Sequence, residues 1–251
     1  SVTGAGSVIN NDGDISGGIL TDDGDDFIYN NESGRIFLTD DTIDLGDGYN
    51  YFLNEGRVYA DGVNNVINMG SYYVGEGGYY YGLFVNNGSS IHMNDGAADD
   101  SLTIIGNFSG SGDLDVDVDG ATLSSDTLYI QGDVLAGTAN TINIDLLTLP
   151  SAAAVQAGET ITIVEVSGNS ADTDFTLGTV FLVNSSLFTA DYTLTYDGSE
   201  FALGFDVTGL STSGVVMSSV SPAIQNMWYG SLGTMYQRQG GERQFLEETG
   251  T

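Results

Sequence analysis

Ile28-Tyr29-Asn30-Asn31-Glu32-Ser33-Gly34-Arg35-Ile36 is followed by Phe52-Leu53-Asn54-Glu55-Gly56-Arg57-Val58. In both, an apolar pair leads into Asn, a small turn and a Gly-x-Ile/Val step. The same order opens the chain at Val8-Ile9-Asn10-Asn11-Asp12-Gly13-Asp14-Ile15 and returns at Phe84-Val85-Asn86-Asn87-Gly88-Ser89-Ser90-Ile91. Gly13 and Gly34 stand 21 residues apart and Gly34 and Gly56 stand 22 apart, the length of one turn of a parallel β-solenoid with three short strands and three corners. Gly56 to Gly88 is 32 residues, and a Gly- and Tyr-rich loop insertion around 72–81 accounts for the excess.

This reading predicts that Ile15, Ile28, Ile36, Phe52, Val58, Val85 and Ile91 face inward, each stacked on its equivalent one turn away. Asn at repeated positions predicts a corner ladder in which stacked side-chain amides satisfy one another. Between these segments lie Leu20-Thr21-Asp22-Asp23-Gly24-Asp25-Asp26-Phe27 and Leu45-Gly46-Asp47-Gly48-Tyr49-Asn50-Tyr51-Phe52. Their Gly, Asp and Asn accept the left-handed backbone of tight corners.

Composition agrees. The 251 residues, 41% hydrophobic, are enough for a continuous core, and 36 Gly against two Pro favour many turns over long helices. Four Lys+Arg against 35 Asp+Glu leave a net charge of −31, which repels phosphate backbones and excludes nucleic acid as an expected partner. Cysteine is absent, so burial and ladder hydrogen bonds must hold the fold in any redox compartment. Residues 1–6 show no basic-then-apolar leader, and no apolar run reaches the ~18 residues of a spanning helix.

From about Gly106 the repeat gives way to period-2 alternation. Leu114, Val116 and Val118 alternate with Asp113, Asp115, Asp117 and Asp119; Ile142 and Ile144 alternate with Asn143 and Asp145; Tyr192, Leu194 and Tyr196 alternate with Thr193 and Thr195. Further strands are expected over 127–131, 160–166 and 201–207. This half reads as a β-sandwich or as a flattened, irregular continuation of the solenoid. Residues 210–221 read as a linker, and Ser221-Pro222 as the start of a helix to about Leu246, with Met227, Trp228 and Met235 on its apolar side.

These features together resemble the passenger of pertactin-like bacterial autotransporters. The Asn-x-Gly-x-Ile repeats resemble its β-helix. Ser125-Asp126-Thr127-Leu128-Tyr129-Ile130 and Gly158-Glu159-Thr160-Ile161-Thr162-Ile163-Val164 resemble its autochaperone region, and Leu232-Gly233-Thr234-Met235-Tyr236-Gln237-Arg238-Gln239-Gly240 resembles the helix that enters the translocator pore. The resemblance implies an all-β chain: a right-handed parallel β-helix over 1–105, a sandwich-like autochaperone cap over 106–209, and a linker with a short pore-spanning α-helix over 210–251. It further implies a place on the bacterial surface, in the outer membrane or in the medium. The expected partners are the chain's own C-terminal β-barrel, a host or neighbouring-cell surface ligand, and a second copy in self-association.

The function expected is a structural stalk with a cap that promotes folding, and not an enzyme. The alternatives are an adhesin acting through its side walls and the Tyr cluster 72, 73, 79, 80 and 81, or a calcium-dependent repeat protein. Ser-His-Asp catalysis requires an imidazole, and His92, the single histidine, reads as a solvated or wall-facing strand residue without a Gly-x-Ser-x-Gly elbow. Arg35 and Arg57 sit one repeat apart after Gly, which favours a stacked position over catalysis. The acidic corners Asp22-Asp23-Gly24-Asp25-Asp26 and Asp44-Leu45-Gly46-Asp47-Gly48 have the hard oxygen donors calcium prefers, but on the wrong repeat length for nonapeptide calcium turns. No catalytic, cofactor-binding or metal residue is therefore assigned, and no cofactor is expected.

Overall fold

The computed structural model describes residues 4–73, 79–182 and 188–210. Compact units fall at Ser1–Ser185 with Asp191–Val207, and at Ser186–Ala190 with Thr208–Thr251; the core and the sites described below lie in the first. The helix expected over 222–246, and the linker before it, lie outside the described residues.

The chain is mostly strand. It begins with β1 (Val8–Asn11), β2 (Asp14–Ser16), β3 (Ile19–Leu20), β4 (Phe27–Asn30), β5 (Arg35–Thr39), β6 (Thr42–Asp44), β7 (Tyr51–Asn54), β8 (Arg57–Asp61) and β9 (Asn65–Asn68). A hairpin of β10 (Ser71–Tyr73) and β11 (Tyr79–Tyr81) follows. Then come β12 (Leu83–Asn86), β13 (Ser90–His92), β14 (Ser101–Ile105), β15 (Asn107–Gly110), β16 (Asp113–Asp119), β17 (Ser124–Ser125) and β18 (Thr127–Ile130). The last elements are β19 (Asn140–Thr148), helix α1 (Ala152–Ala157), β20 (Thr160–Val166), β21 (Phe175–Leu182), β22 (Phe188–Tyr196) and β23 (Glu200–Leu210).

Successive strands go to different sheets. The first sheet runs β1-β4-β7-β12-β15, the second β2-β5-β8-β13-β16-β19-β21, and the third β22-β23-β20-β18-β14-β9-β6-β3. Three consecutive strands thus make one tier, and the next three pair beside them. The ladders between tiers are parallel and in register: Ile28 opposite Phe52, Phe52 opposite Phe84, Ile36 opposite Val58, and Ile43 opposite Ile67. Antiparallel pairing joins β10 to β11, β16 to β17 and β20 to β23. The inserted hairpin lies where the long interval after Gly56 requires it.

Side chains alternate across each strand, so one set of columns is buried between the sheets. Ile28, Phe52, Phe84 and Phe108 form the column of the first sheet; Ile36, Val58, Ile91, Leu114 and Ile142 that of the second; Ile43, Ile67, Ile104 and Ile130 that of the third. Phe52, Phe84, Phe108, Phe175 and Phe201 make a continuous aromatic spine with ring centroids 4.8, 5.8, 5.8 and 4.9 Å apart. Of the residues expected inside, Ile28, Ile36, Phe52, Val58 and Ile91 are buried and Ile15 is partly buried against the core. Val85 is a correction. It is only half-buried and stands opposite Leu53 on the outer face, while Phe84 takes the inward place. Parity decides this, because Asn86 must point inward to join the amide ladder, and Phe84 shares its face.

That ladder lines the turn after the first sheet. Asn11 Nδ2 donates to Asn30 Oδ1 (2.8 Å), Asn30 to Asn54 (2.7 Å), Asn54 to Asn86 (2.9 Å) and Asn86 to Asn140 (3.3 Å), all buried. Each amide also caps backbone, as where Asn30 Nδ2 donates to the Arg57 carbonyl. A buried amide would be destabilising unpaired. Here each completes its neighbour, so the turn repeats at the same point after β1, β4, β7 and β12.

The sandwich-like cap expected over 106–209 is not a separate pair of sheets. β16, β19 and β21 extend the sheet begun by β2, while β18, β20 and β23 extend the sheet begun by β3. Leu114 simply stacks between Ile91 and Ile142, so the alternating segments supply longer strands to columns already present. Among the described residues the first sheet ends at β15, and the single bridge from Phe108 to Val134 continues it. Helix α1 was not legible as a helix in the alternation around it. Ser151 caps it by accepting from the Ala154 N–H (3.2 Å), and Gly158, at φ 71°, ends it in the left-handed conformation that glycine reaches without strain.

Candidate functional site: the outer face of the second sheet

Strand parity places Ser90 and His92 on one face of β13, with Ile91 between them pointing into the core. Register then brings Asp115 of β16 opposite His92 on one side and Tyr59 of β8 opposite it on the other. The three polar side chains connect. Ser90 Oγ lies 2.9 Å from His92 Nε2, and His92 Nδ1 lies 2.8 Å from Asp115 Oδ2. Asn143 of β19 donates to the other Asp115 oxygen at 2.9 Å. The His92 ring is stacked on Tyr59 at 4.8 Å and 14°, and Tyr59 on Phe37 at 4.7 Å and 8°. Histidine and aspartate side chains keep 23% and 18% exposure, enough for a small molecule to reach them.

Charge fixes the direction of the hydrogen bond between His92 and Asp115. Burial alone would raise the Asp115 carboxyl, but hydrogen bonds from His92 and Asn143 and the charge of His92 outweigh it and hold it below the usual range. An ionised carboxylate only accepts, so Nδ1 presents its proton to Asp115; in the neutral ring of that tautomer, Nε2 is the acceptor that faces the Ser90 hydroxyl. His92 therefore does face the wall, as the sequence suggests, but between a hydroxyl and a carboxylate. Arg57 stands opposite Ser90 on the neighbouring strand, and Arg35 opposite Arg57, in the stacked positions their spacing predicts. Arg35 pairs with Asp14 at 2.7 Å.

The acidic corners are occupied by backbone. Asp23 Oδ1 accepts from the Asp47 N–H (3.1 Å), Asp25 Oδ1 from the Tyr49 N–H (2.9 Å), and Asp44 Oδ1 from the Gly46 N–H (3.1 Å) and the Asn68 amide (2.9 Å). Buried Asp26 accepts from the Ser7 N–H and the Thr21 hydroxyl. Among the described residues no group of three or more Asp, Glu or His side chains is placed to hold a metal ion. In the hairpin, Tyr72 stands opposite Tyr80 and Tyr73 opposite Tyr79, and Tyr80 and Tyr81 are each 47% exposed. An open hollow of about 570 Å³ lies elsewhere, between Phe175, Leu177, Tyr192, Leu194 and Phe201.

A second polar column, unforeseen from the sequence, is buried at another corner. Asp126 is fully buried; its Oδ1 accepts from the Asp100 N–H (3.0 Å) and its Oδ2 from the Asp117 N–H (2.6 Å). Asp100 Oδ1 accepts from the Gly62 N–H (2.6 Å), while its Oδ2 is buried without a hydrogen bond. Burial pushes the Asp126 carboxyl up to about 8 and the Asp100 carboxyl up to about 6 against the lowering effect of those N–H donors, with neighbouring carboxylates adding to the rise. For Asp100 these neighbours are Asp95, Asp61 and Asp99. Asp117 is raised as well, by burial and by Asp145 and Asp95, against the Gly96 N–H.

The sign follows from linkage. Carboxyls whose folded values exceed the unfolded value of about 4 bind protons more tightly in the native state. Stability is therefore gained as pH falls through about 8 and then about 6, and lost as pH rises through the same window. The chain should melt at a higher temperature at pH 5 than at pH 8 at equal ionic strength. Asp100→Asn should flatten part of that slope, stabilising by about 1–2 kcal/mol at pH 8 and little at pH 5. Thermal melts of both proteins across this range check it; an unchanged slope would show that Asp100 is not among the titrating groups.

No protein-family model matches the chain, and no curated protein matches it closely enough to name a relative.

Proposed function

We propose that the chain is a right-handed parallel β-helix acting as a rigid, surface-exposed stalk of an autotransporter passenger, with the region after residue 106 closing and templating its end. One observation carries the reading: the tier-on-tier register that runs from β1 to β21 with internal amide and phenylalanine columns. Such an array resists bending because each tier is hydrogen-bonded to the next along all three walls, at about 4.8 Å per tier. The acidic surface keeps copies apart in solution and suits display outside the cell. Among the described residues no helix is long and apolar enough to cross a membrane.

The test is export. The full chain, given a secretion signal and a downstream outer-membrane barrel, should be labelled by antibody on intact bacteria and resist added protease as a folded rod. Retention in the periplasm, or rapid degradation at the surface, would overturn the stalk assignment.

A further inference from the structure

We propose that Ser90 is an activated nucleophile, with His92 as its general base and Asp115 orienting the imidazole, and that it reacts with small uncharged acyl esters at the outer face of the second sheet. The proposal stands apart from the stalk reading and departs from the non-enzymatic expectation drawn from sequence. It requires only the fold of residues 57–143.

The geometry has the parts that nucleophilic catalysis by serine needs. The hydroxyl and the imidazole are within hydrogen-bond reach at 2.9 Å, and the imidazole is oriented by a third group at 2.8 Å. The ring cannot rotate freely, being held by Asp115 on one side and the stacked Tyr59 on the other. Asn143, a positioning residue, holds the carboxylate in turn. None of this serves the core, since all five side chains lie on the outer face.

The reaction balances without a cofactor. Ser90 Oγ bonds to the ester carbonyl carbon as its proton passes to His92 Nε2. The ester C–O bond then breaks, and the alcohol leaves with that proton. Water, losing its proton to His92, attacks the acyl carbon, and Ser90 Oγ leaves with the proton, so ester and water give acid and alcohol.

The surroundings restrict the substrate. Asp113 is opposite Ser90 and Asp115 is opposite His92, so an anionic ester would be repelled. The Ser90 N–H is engaged by the Gly56 carbonyl at 3.3 Å and cannot stabilise an oxyanion. The exposed Arg57, opposite Ser90 one strand away, is the cationic group available for that charge. With the Ser90 N–H so engaged, turnover should be slow, and covalent labelling is the sensitive readout.

The experiment treats the full chain with a fluorophosphonate, in which the Ser90 Oγ–P bond forms as fluoride leaves, and maps the adduct by peptide mass spectrometry. Ser90 should be labelled about 100-fold faster than the other serines. His92→Ala and Asp115→Asn should each slow this by about tenfold or more with unchanged circular dichroism, and Arg57→Gln by less. The rate should fall at acid pH, because an imidazolium cannot accept the serine proton, and Asp115→Asn should alter that profile. Urea gives a reading independent of any variant: selective reactivity should disappear on unfolding. Labelling spread evenly over exposed serines, equal Ser90 labelling in the His92 and Asp115 variants, or selectivity that persists in urea would each overturn the proposal.

Discussion

Gly56→Ala should destabilise the protein by at least about 3 kcal/mol, whereas Gly13→Ala, the same substitution at the equivalent point of the repeat, should be neutral or slightly stabilising. A methyl group on Gly56 would collide with the Gly34 and Asn31 carbonyl oxygens and approach Asn30 Nδ2 within 2.9 Å. Two of these are backbone atoms of the tier below. They can retreat only by parting β5 from β8 and breaking the amide ladder at Asn30 and Asn54. On Gly13 the added methyl meets nothing within 4 Å. Urea denaturation of the two variants decides the matter. Equal losses would mean that glycine serves backbone conformation at this point of the repeat and not the close approach of successive tiers.

Phe84→Ala should cost about 3–5 kcal/mol, and Val85→Ala at most about 1 kcal/mol. Phe84 is fully buried between Phe52, met edge-on at 4.8 Å and 62°, and Phe108, stacked at 5.8 Å and 12°. Its removal leaves a cavity in the middle of the aromatic spine, where the flanking tiers are fixed by their own ladders and cannot collapse. Aromatic pairing adds about 0.5–1.5 kcal/mol per contact beyond the buried area. Val85 lies across the strand, half-buried between Leu53 and Ser109. Chemical denaturation of the pair measures the parity of β12 directly, and a larger loss at Val85 would reverse the assignment of its faces.

Much of this architecture was legible in the order of residues. Recurrence of Gly13, Gly34 and Gly56 specified the spacing of β2, β5 and β8, and Arg35 and Arg57 are paired where that spacing puts them. The repeated Asn specified the ladder, and the Tyr-rich interval specified the hairpin. These signals are local: a strand's period of two and a corner's need for Gly or Asn act within a few residues. Where the local signal was symmetrical it failed. Phe84-Val85 offers two apolar residues of opposite facing, and only the requirement that Asn86 reach Asn54 and Asn140 chooses between them.

The polar sites depended on tertiary structure for the same reason. That Ser90 and His92 share a face follows from their spacing in the sequence. Which of Asp113, Asp115, Asp117 and Asp119 would stand opposite His92 does not, since the four alternate identically along β16. The turn before each strand fixes the pairing register, and a shift of two residues would set another aspartate against the imidazole without disturbing the apolar columns. The buried Asp100–Asp126 pair has the same origin. Sequence marks both as acidic, as it marks 35 residues of this chain, and only packing removes these two from water. Sequence thus determined the tier, its corners and its charge, because those are set by neighbours along the chain. The partners of His92 and the burial of Asp126 were decided by register between distant strands, which no local pattern encodes.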